Sequence, residues 1–178
     1  MSLSTEFLSS VNRIKYYKSL ADKTIEQLTD QELHFQPNAE SNSIAIIIQH
    51  MAGNMLSRWT DFLSTDGEKE WRDRDGEFED KELTKEKLLQ YWEKGWACFL
   101  DVLQKLTEED LLKTITIRGE SLTAMDAIIR QLAHYPYHVG QIVYVGRMIK
   151  GPNWKNLSIP KGGSAEFNKN APVKDPGR

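Results

Sequence analysis

The sequence predicts an all-α protein, a bundle of four long helices. Three observations carry that expectation. Apolar residues recur at i, i+3 and i+4 through four separate segments. Glycine and proline are sparse until Gly151. The 178 residues suffice for one domain with a real core. The bundle is expected over residues 1–150, with 151–178 as a coil tail packed in part on it.

The first helix is expected over residues 5–28, where Phe7, Leu8, Val11, Ile14, Tyr17, Leu20, Ile25 and Leu28 form one stripe. The second is expected over residues 44–63, behind the candidate caps Asn42 and Ser43. The third is expected over residues 85–106 with Thr84 as its N-cap, carrying Leu88, Tyr91, Trp92, Trp96, Phe99, Leu103 and Leu106. The fourth runs over residues 124–150 and stops at Gly151–Pro152.

The connections differ in character. LTDQEL (28–33) and LTEEDL (106–111) each read as a Thr-capped extra turn with an acid at N3. Their likeness hints at a duplicated helix–turn–helix plan. KTITIRGESLT (113–123) is either a small hairpin turning at Arg118–Gly119 or an extended linker. The charged run 64–87 between the second and third helices reads as a solvated loop. Trp71 and Phe78 lie inside it, however, and predict that part of it folds back on the body. Trp154, Leu157 and Ile159 are expected to tack down the tail, and the last ten or so residues to be loose.

Composition excludes some function classes. A net charge of −3 and a pI of about 5.8 argue against nucleic acid or an acidic membrane surface as partner. The single cysteine, Cys98, forbids an intrachain disulfide and fits a reducing, cytoplasmic setting; on the aromatic third helix it reads as a core residue. The first ten residues lack a secretory pattern, and the longest apolar run, 44–48, is too short to span a bilayer.

The chemistry is expected at HYPYHVGQ (134–141). His134 and His138 stand four apart, which on a helix puts both imidazoles on one face, about 5–6 Å apart at Cβ. Two rings so placed can converge on one metal ion at about 2.0–2.1 Å each. Such a pair also occurs on exposed faces, and a lone histidine on an apolar face is commonly a core residue. His50 is the best further ligand, provided the second and fourth helices meet. Asn54 and Arg58 follow it at i+4 and i+8, a polar stripe that needs partners if buried. Gln141, three beyond His138, reads as a contact to the ligand or to the substrate. His34 reads as a hydrogen-bonding or packing residue. Pro136 removes one helical hydrogen bond, at Leu132. The apolar spacing runs on through Leu132, Tyr135, Val139, Ile142 and Val143 and predicts a continuous helix bent there rather than a restart.

Four stretches in order, NSIAIIIQHMAGNMLSRWTDFL, WRDRDGEF, HYPYHVGQIVY and WKNLSIPKGGSAEFN, give the chain a family resemblance. It resembles the DinB-like (damage-inducible) superfamily of four-helix metal-binding proteins, and within it a subgroup of undefined activity. The likeness runs from about residue 7 to 168, with Pro136 where a small non-proline residue is expected. It implies an up-down-down-up bundle holding one divalent ion, zinc or nickel, on His50, His134 and His138. It also implies homodimers and, among relatives, thiol-dependent S-transferases, an isomerase and hydrolase-like proteins.

Two functions follow as expectations. One is a metal-dependent enzyme acting on a small molecule by hydrolysis or thiol transfer, with a low-molecular-weight thiol as a further cofactor. Asn54, Arg58 and Gln141 would then position an anionic or polar substrate, and Arg72, Arg74 and Asp75 would edge the mouth. No glutamate accompanies the histidines as in HExxH, so the sequence names no general base. The other is a non-catalytic, metal-stabilised helical module acting through dimerisation or partner binding.

Overall fold

The computed structural model describes residues 2–170. The chain is mostly helical, with one small two-stranded sheet. The expected first helix is two: α1 (Leu3–Val11) and α2 (Ile14–Glu26). Asn12 and Arg13 between them keep right-handed dihedrals but bond back three residues, Asn12 N–H to the Ser9 carbonyl and Arg13 N–H to that of Ser10. The tighter turn breaks the helix without glycine or proline; the apolar stripe persists across it at Val11 and Ile14, whereas Tyr17, expected in the stripe, is exposed. The short α3 (Asp30–Leu33) carries the expected capping box between Thr29 and Glu32.

α4 (Ile44–Trp59) starts where Ser43 Oγ accepts the Ile46 N–H at 3.2 Å. It ends four residues before the expected boundary of 63, because Thr60 turns extended and Asp61 takes φ 49°. Phe62 is still buried, carried inward by the turn rather than by the helix. α5 (Lys85–Lys105) is capped by Thr84 as expected. α4 is buried nearly all round, packed against α5. A Cβ on Gly95 of α5 would stand 3.0 Å from the Ala52 Cα, so this contact needs a residue without a side chain.

LTEEDL forms a single 3₁₀ turn, Glu109–Leu112, in which Asp110 accepts from the Thr107 N–H at 2.8 Å. The following segment is a hairpin, not a linker: β1 (Thr114–Ile117) pairs antiparallel with β2 (Glu120–Thr123). Its two-residue turn, Arg118 at φ 57° and Gly119 at φ 75°, has both central residues left-handed, which suits the strand twist. Ile115 and Ile117 face the core.

α6 (Ala124–Lys150) is one continuous helix through Pro136, packed on α2 and α4. A Cβ on Gly146 would meet Thr24 Cγ2 at 2.4 Å, so the α2–α6 approach is also close. Inside lies a cluster of fully buried rings, among them Trp59, Trp92, Trp96, Phe99 and Tyr135. Cys98 is half-buried against that core, as expected.

The tail is not all coil. A 3₁₀ turn (Gly151–Asn153) leads on from α6, and α7 (Ser164–Asn170) is helical. Trp154 and Leu157 are half-buried, and the Gln27 side chain pairs with both backbone groups of Lys155. Ile159 is exposed. The expectation of loose final residues, the last ten or so, falls mostly on 171–178, outside the described residues; 169 and 170 belong to α7. Among the described residues no helix is long and apolar enough to cross a membrane.

His34 fixes the end of α3 to the inter-helix loop. Its Nδ1 lies 2.8 Å from both Asp80 carboxylate oxygens, and its Nε2 lies 2.9 Å from the Leu83 carbonyl. Partial burial opposes the charged ring, but bonds to Asp80 and Leu83 outweigh it and raise the pKa above the ordinary value. A raised folded pKa favours the protonated folded state. The stabilisation is therefore complete below the unfolded value of about 6.5 and fades as pH rises through the folded one. Melting of the wild type and His34→Gln from about pH 5.5 to 8.5 should show a gap widest in acid and closing toward alkali.

Candidate metal centre

His50 lies at mid-α4 and His134 and His138 one turn apart on α6. Because α4 and α6 touch, the three rings meet. Their candidate ligand atoms all lie within 4.8 Å of one another. Ring centroids are 4.9 Å apart for His50–His138, 5.6 Å for His50–His134 and 4.7 Å for His134–His138. The proline inside α6 does not prevent the one-turn pairing.

The partners of the rings decide which nitrogen is free. His138 Nδ1 stands 2.8 Å from Gln141 Oε1, and His134 Nδ1 stands 3.2 Å from Gln131 Oε1. His50 Nδ1 stands 3.1 Å from Glu77 Oε2. Each partner is an acceptor, so each Nδ1 carries the hydrogen and donates it. In the neutral ring Nε2 then bears only a lone pair.

Yet His134 Nε2 and His138 Nε2 stand 3.0 Å apart. Two lone pairs at that distance repel unless a cation lies between them. Nitrogens on a tetrahedral ion stand about 3.3 Å apart at bond lengths of about 2.0–2.1 Å. The donor set therefore fits a divalent ion, each imidazole steered from behind by an oxygen as metal-bound histidines commonly are. Burial, with the neighbouring His138 and His50, pushes His134 down to about 3. Burial also lowers His138, partly offset by Gln141. Both are neutral near pH 7, the form that binds metal.

Glu77 is the residue that sequence reasoning missed. It sits in the inter-helix loop, on a single 3₁₀ turn (Gly76–Phe78) packed against α4. Its carboxylate takes Arg72 Nε at 2.7 Å and a second Arg72 nitrogen at 2.8 Å. The Arg72 side chain is 1 % exposed and that of Glu77 8 %. Burial opposes the Glu77 charge, but the bonds from Arg72 and His50 outweigh it and hold its pKa below the usual carboxylate range. Arg72–Glu77–His50 is thus a charged relay ending at the rings. It passes close to the α4 backbone: a Cβ on Gly53 would stand 2.0 Å from Glu77 Oε1. Gly53, one turn after His50 on an apolar helix, was the available signal.

A cavity of about 300 Å³ opens on the three rings. Asn54 and Arg58 line it as expected. Asn54 Oδ1 accepts the Tyr135 hydroxyl at 3.1 Å, and that hydroxyl accepts Trp59 Nε1 at 2.9 Å, tying the wall to the aromatic core. Arg58 is paired with Glu68 at 3.1 Å. Gln141 does not line the cavity; its oxygen supports His138. Of the loop residues expected at the mouth, Arg74 is there. Arg72 lies behind the rings on Glu77, and Asp75 is not in the lining. The loop does fold back, but it buries Glu77 and Arg72 while Trp71 remains 60 % exposed. Phe78 lies over His50, centroids 4.6 Å apart.

A family model described as "Protein of unknown function (DUF1572)" matches residues 2–163. The chain belongs to the DUF1572 family. The match covers all three histidines, both supporting glutamines and Glu77 of this DUF1572 chain. Comparison with curated proteins and with solved structures gave no match.

Proposed function

We propose that the protein is a metal-dependent enzyme acting on a small molecule by hydrolysis or thiol (S-) transfer. In this reading its helices form a DinB-like, up-down-down-up bundle, with zinc or nickel on His50, His134 and His138. The observation that carries the reading is the set of anchored Nδ1 atoms, which leaves the Nε2 atoms bare in a cluster whose ligand atoms lie within 4.8 Å of one another beside a cavity. Among the described residues the cluster offers three ligand groups, the number typical of catalytic rather than structural sites. A divalent ion there supplies Lewis acidity, which makes a nearby water or thiol more acidic at neutral pH.

The chain's own residues do the rest. Gln131, Gln141 and Glu77 hold the three rings in one tautomer and orientation. Asn54 and Arg58 present polar groups to whatever enters, and Phe78 narrows the water-accessible side of His50. No carboxylate is part of the cavity lining, so Glu77 is a positioning residue, not a base in contact with substrate. The lone cysteine fits a reducing compartment such as the cytoplasm.

A second reading, a non-catalytic module that pairs with a copy of itself or a partner, is favoured by one observation. Tyr137, Tyr144 and Met148 stand exposed along α6. Elemental analysis of the purified protein, followed by assays with hydrolase substrates and thiol-transfer pairs before and after chelation, separates the two. Stoichiometric zinc or nickel with turnover restored by re-addition supports the enzyme. A stabilising metal without turnover across the panel supports the module, and absence of any bound metal removes the enzyme.

A further inference from the structure

We infer that the ligand of this cavity carries at least two negative charges close together, as a phosphate ester or a polycarboxylate does, and that Arg74, Arg118 and Arg130 receive them. The inference rests on the enzyme reading above and names its substrate class.

The chain is acidic overall, at −3, yet the cavity is surrounded by cations. Arg58, Arg74, Arg118 and Arg130 all line it, and no carboxylate does. Arg72 lies just behind. The nearby anions are Glu68, Glu77 and Asp66, and none of them pairs with Arg74 or Arg130. Glu68 is shared by three guanidiniums, Arg58 at 3.1 Å, Arg118 at 3.1 Å and Arg72 at 3.4 Å. Glu77 is turned to Arg72 and His50. Five guanidiniums thus face three carboxylates, Asp66 beneath the Arg118 turn included, an excess of two positive charges before any metal is bound. Arg74 and Arg130 are exposed and form no ion pair among the described residues. A single negative charge would leave half of that excess uncompensated.

The cations are also placed. Arg118 rides on the hairpin turn, and Asp66 accepts the backbone N–H groups of Arg118 and Gly119 at 2.8 Å each. These bonds, with that from Glu68, hold the Asp66 carboxyl far below its usual range, so the clamp stays ionised. Arg130 projects from α6 one turn before His134, and Arg74 from the loop that also supplies Glu77. Guanidinium forks from separate elements suit the several oxygens of phosphate or of paired carboxylates. A cavity of about 300 Å³ is at the small end for ligand sites and admits a small molecule rather than a polymer. Such a ligand would set its anionic end against the arginines and its reacting end toward the rings.

The test is calorimetric titration of the zinc-loaded protein with inorganic phosphate, succinate and, as singly charged control, acetate. It is run at low ionic strength near about pH 8, where phosphate is a dianion. Phosphate or succinate should bind at least about tenfold more tightly than acetate, and about 0.5 M salt should weaken it. Arg74→Ala/Arg130→Ala should lower the dianion affinity at least about tenfold with zinc content unchanged. Whichever dianion binds more tightly identifies the phosphate or the carboxylate source. Failure of both dianions to bind, or equal affinity in the double variant, would overturn the inference. If the protein takes up no metal, the enzyme reading fails, and the same titration on metal-free protein still decides the role of the arginines.

Discussion

Glu77→Ala is expected to weaken zinc binding about 10–100-fold, the usual loss when a carboxylate behind a metal-bound histidine is removed. The same change should cost about 3 kcal/mol of folding stability. The two effects have one origin. Glu77 is the counter-charge of Arg72, whose side chain is 1 % exposed, and the acceptor that fixes His50. Removing it leaves a buried guanidinium short of a partner, which typically costs about 3–5 kcal/mol. The lower end applies because Glu68 remains 3.4 Å from Arg72. Urea denaturation measures the stability, and competition with a chromophoric chelator measures the affinity. Unchanged affinity with lost stability would show that Glu77 serves Arg72 alone and has no part in holding the ring.

Gly53→Ala should reproduce the affinity loss without touching a charge. Within a helix alanine is normally favoured over glycine by about 0.5–1 kcal/mol, so nothing local explains glycine at this position. Here its Cβ would lie 2.0 Å from Glu77 Oε1 and 2.6 Å from Cδ. The carboxylate must move, and moving it breaks the bond to His50. Zinc affinity should fall about 10–100-fold. In a Glu77→Ala background the clash is gone, so adding Gly53→Ala should leave affinity unaltered and raise stability by about 0.5–1 kcal/mol. Additive losses of affinity in the double variant would mean that Gly53 acts on something other than Glu77.

Much of the scaffold could be read from local chemistry. Ser43, Thr84 and the Thr29–Glu32 box mark helix starts because a side-chain oxygen there meets otherwise orphaned N–H groups. Gly151 marks the end of α6 because it takes φ 48°. The break at Asn12–Arg13 was hidden, since both residues remain right-handed and only the bonding tightens. The His134–His138 pair was legible because helical periodicity alone places both rings on one face. The supporting glutamines follow the same rule at three residues' distance, Gln131 before His134 and Gln141 after His138. Convergence with His50 was not legible, because it depends on α4 meeting α6. Glu77 was hidden for a further reason. Its loop is rich in charge and reads as solvated, whereas Arg72 and Glu77 are buried together by neutralising each other.

All three imidazoles are borne on α4 and α6, while Glu77, Phe78 and Arg74 come from one short stretch of a single connection. Grip and temperament are thereby inherited separately. A few exchanges in that stretch would retune the electron richness of one imidazole, the shielding above it and the charge of the entrance, while the helices that carry the three imidazoles stay as they are. Diversification among relatives should therefore concentrate its consequences in a handful of loop positions outside the apolar core, with a cost in stability where Glu77 is exchanged, because Arg72 then loses its partner.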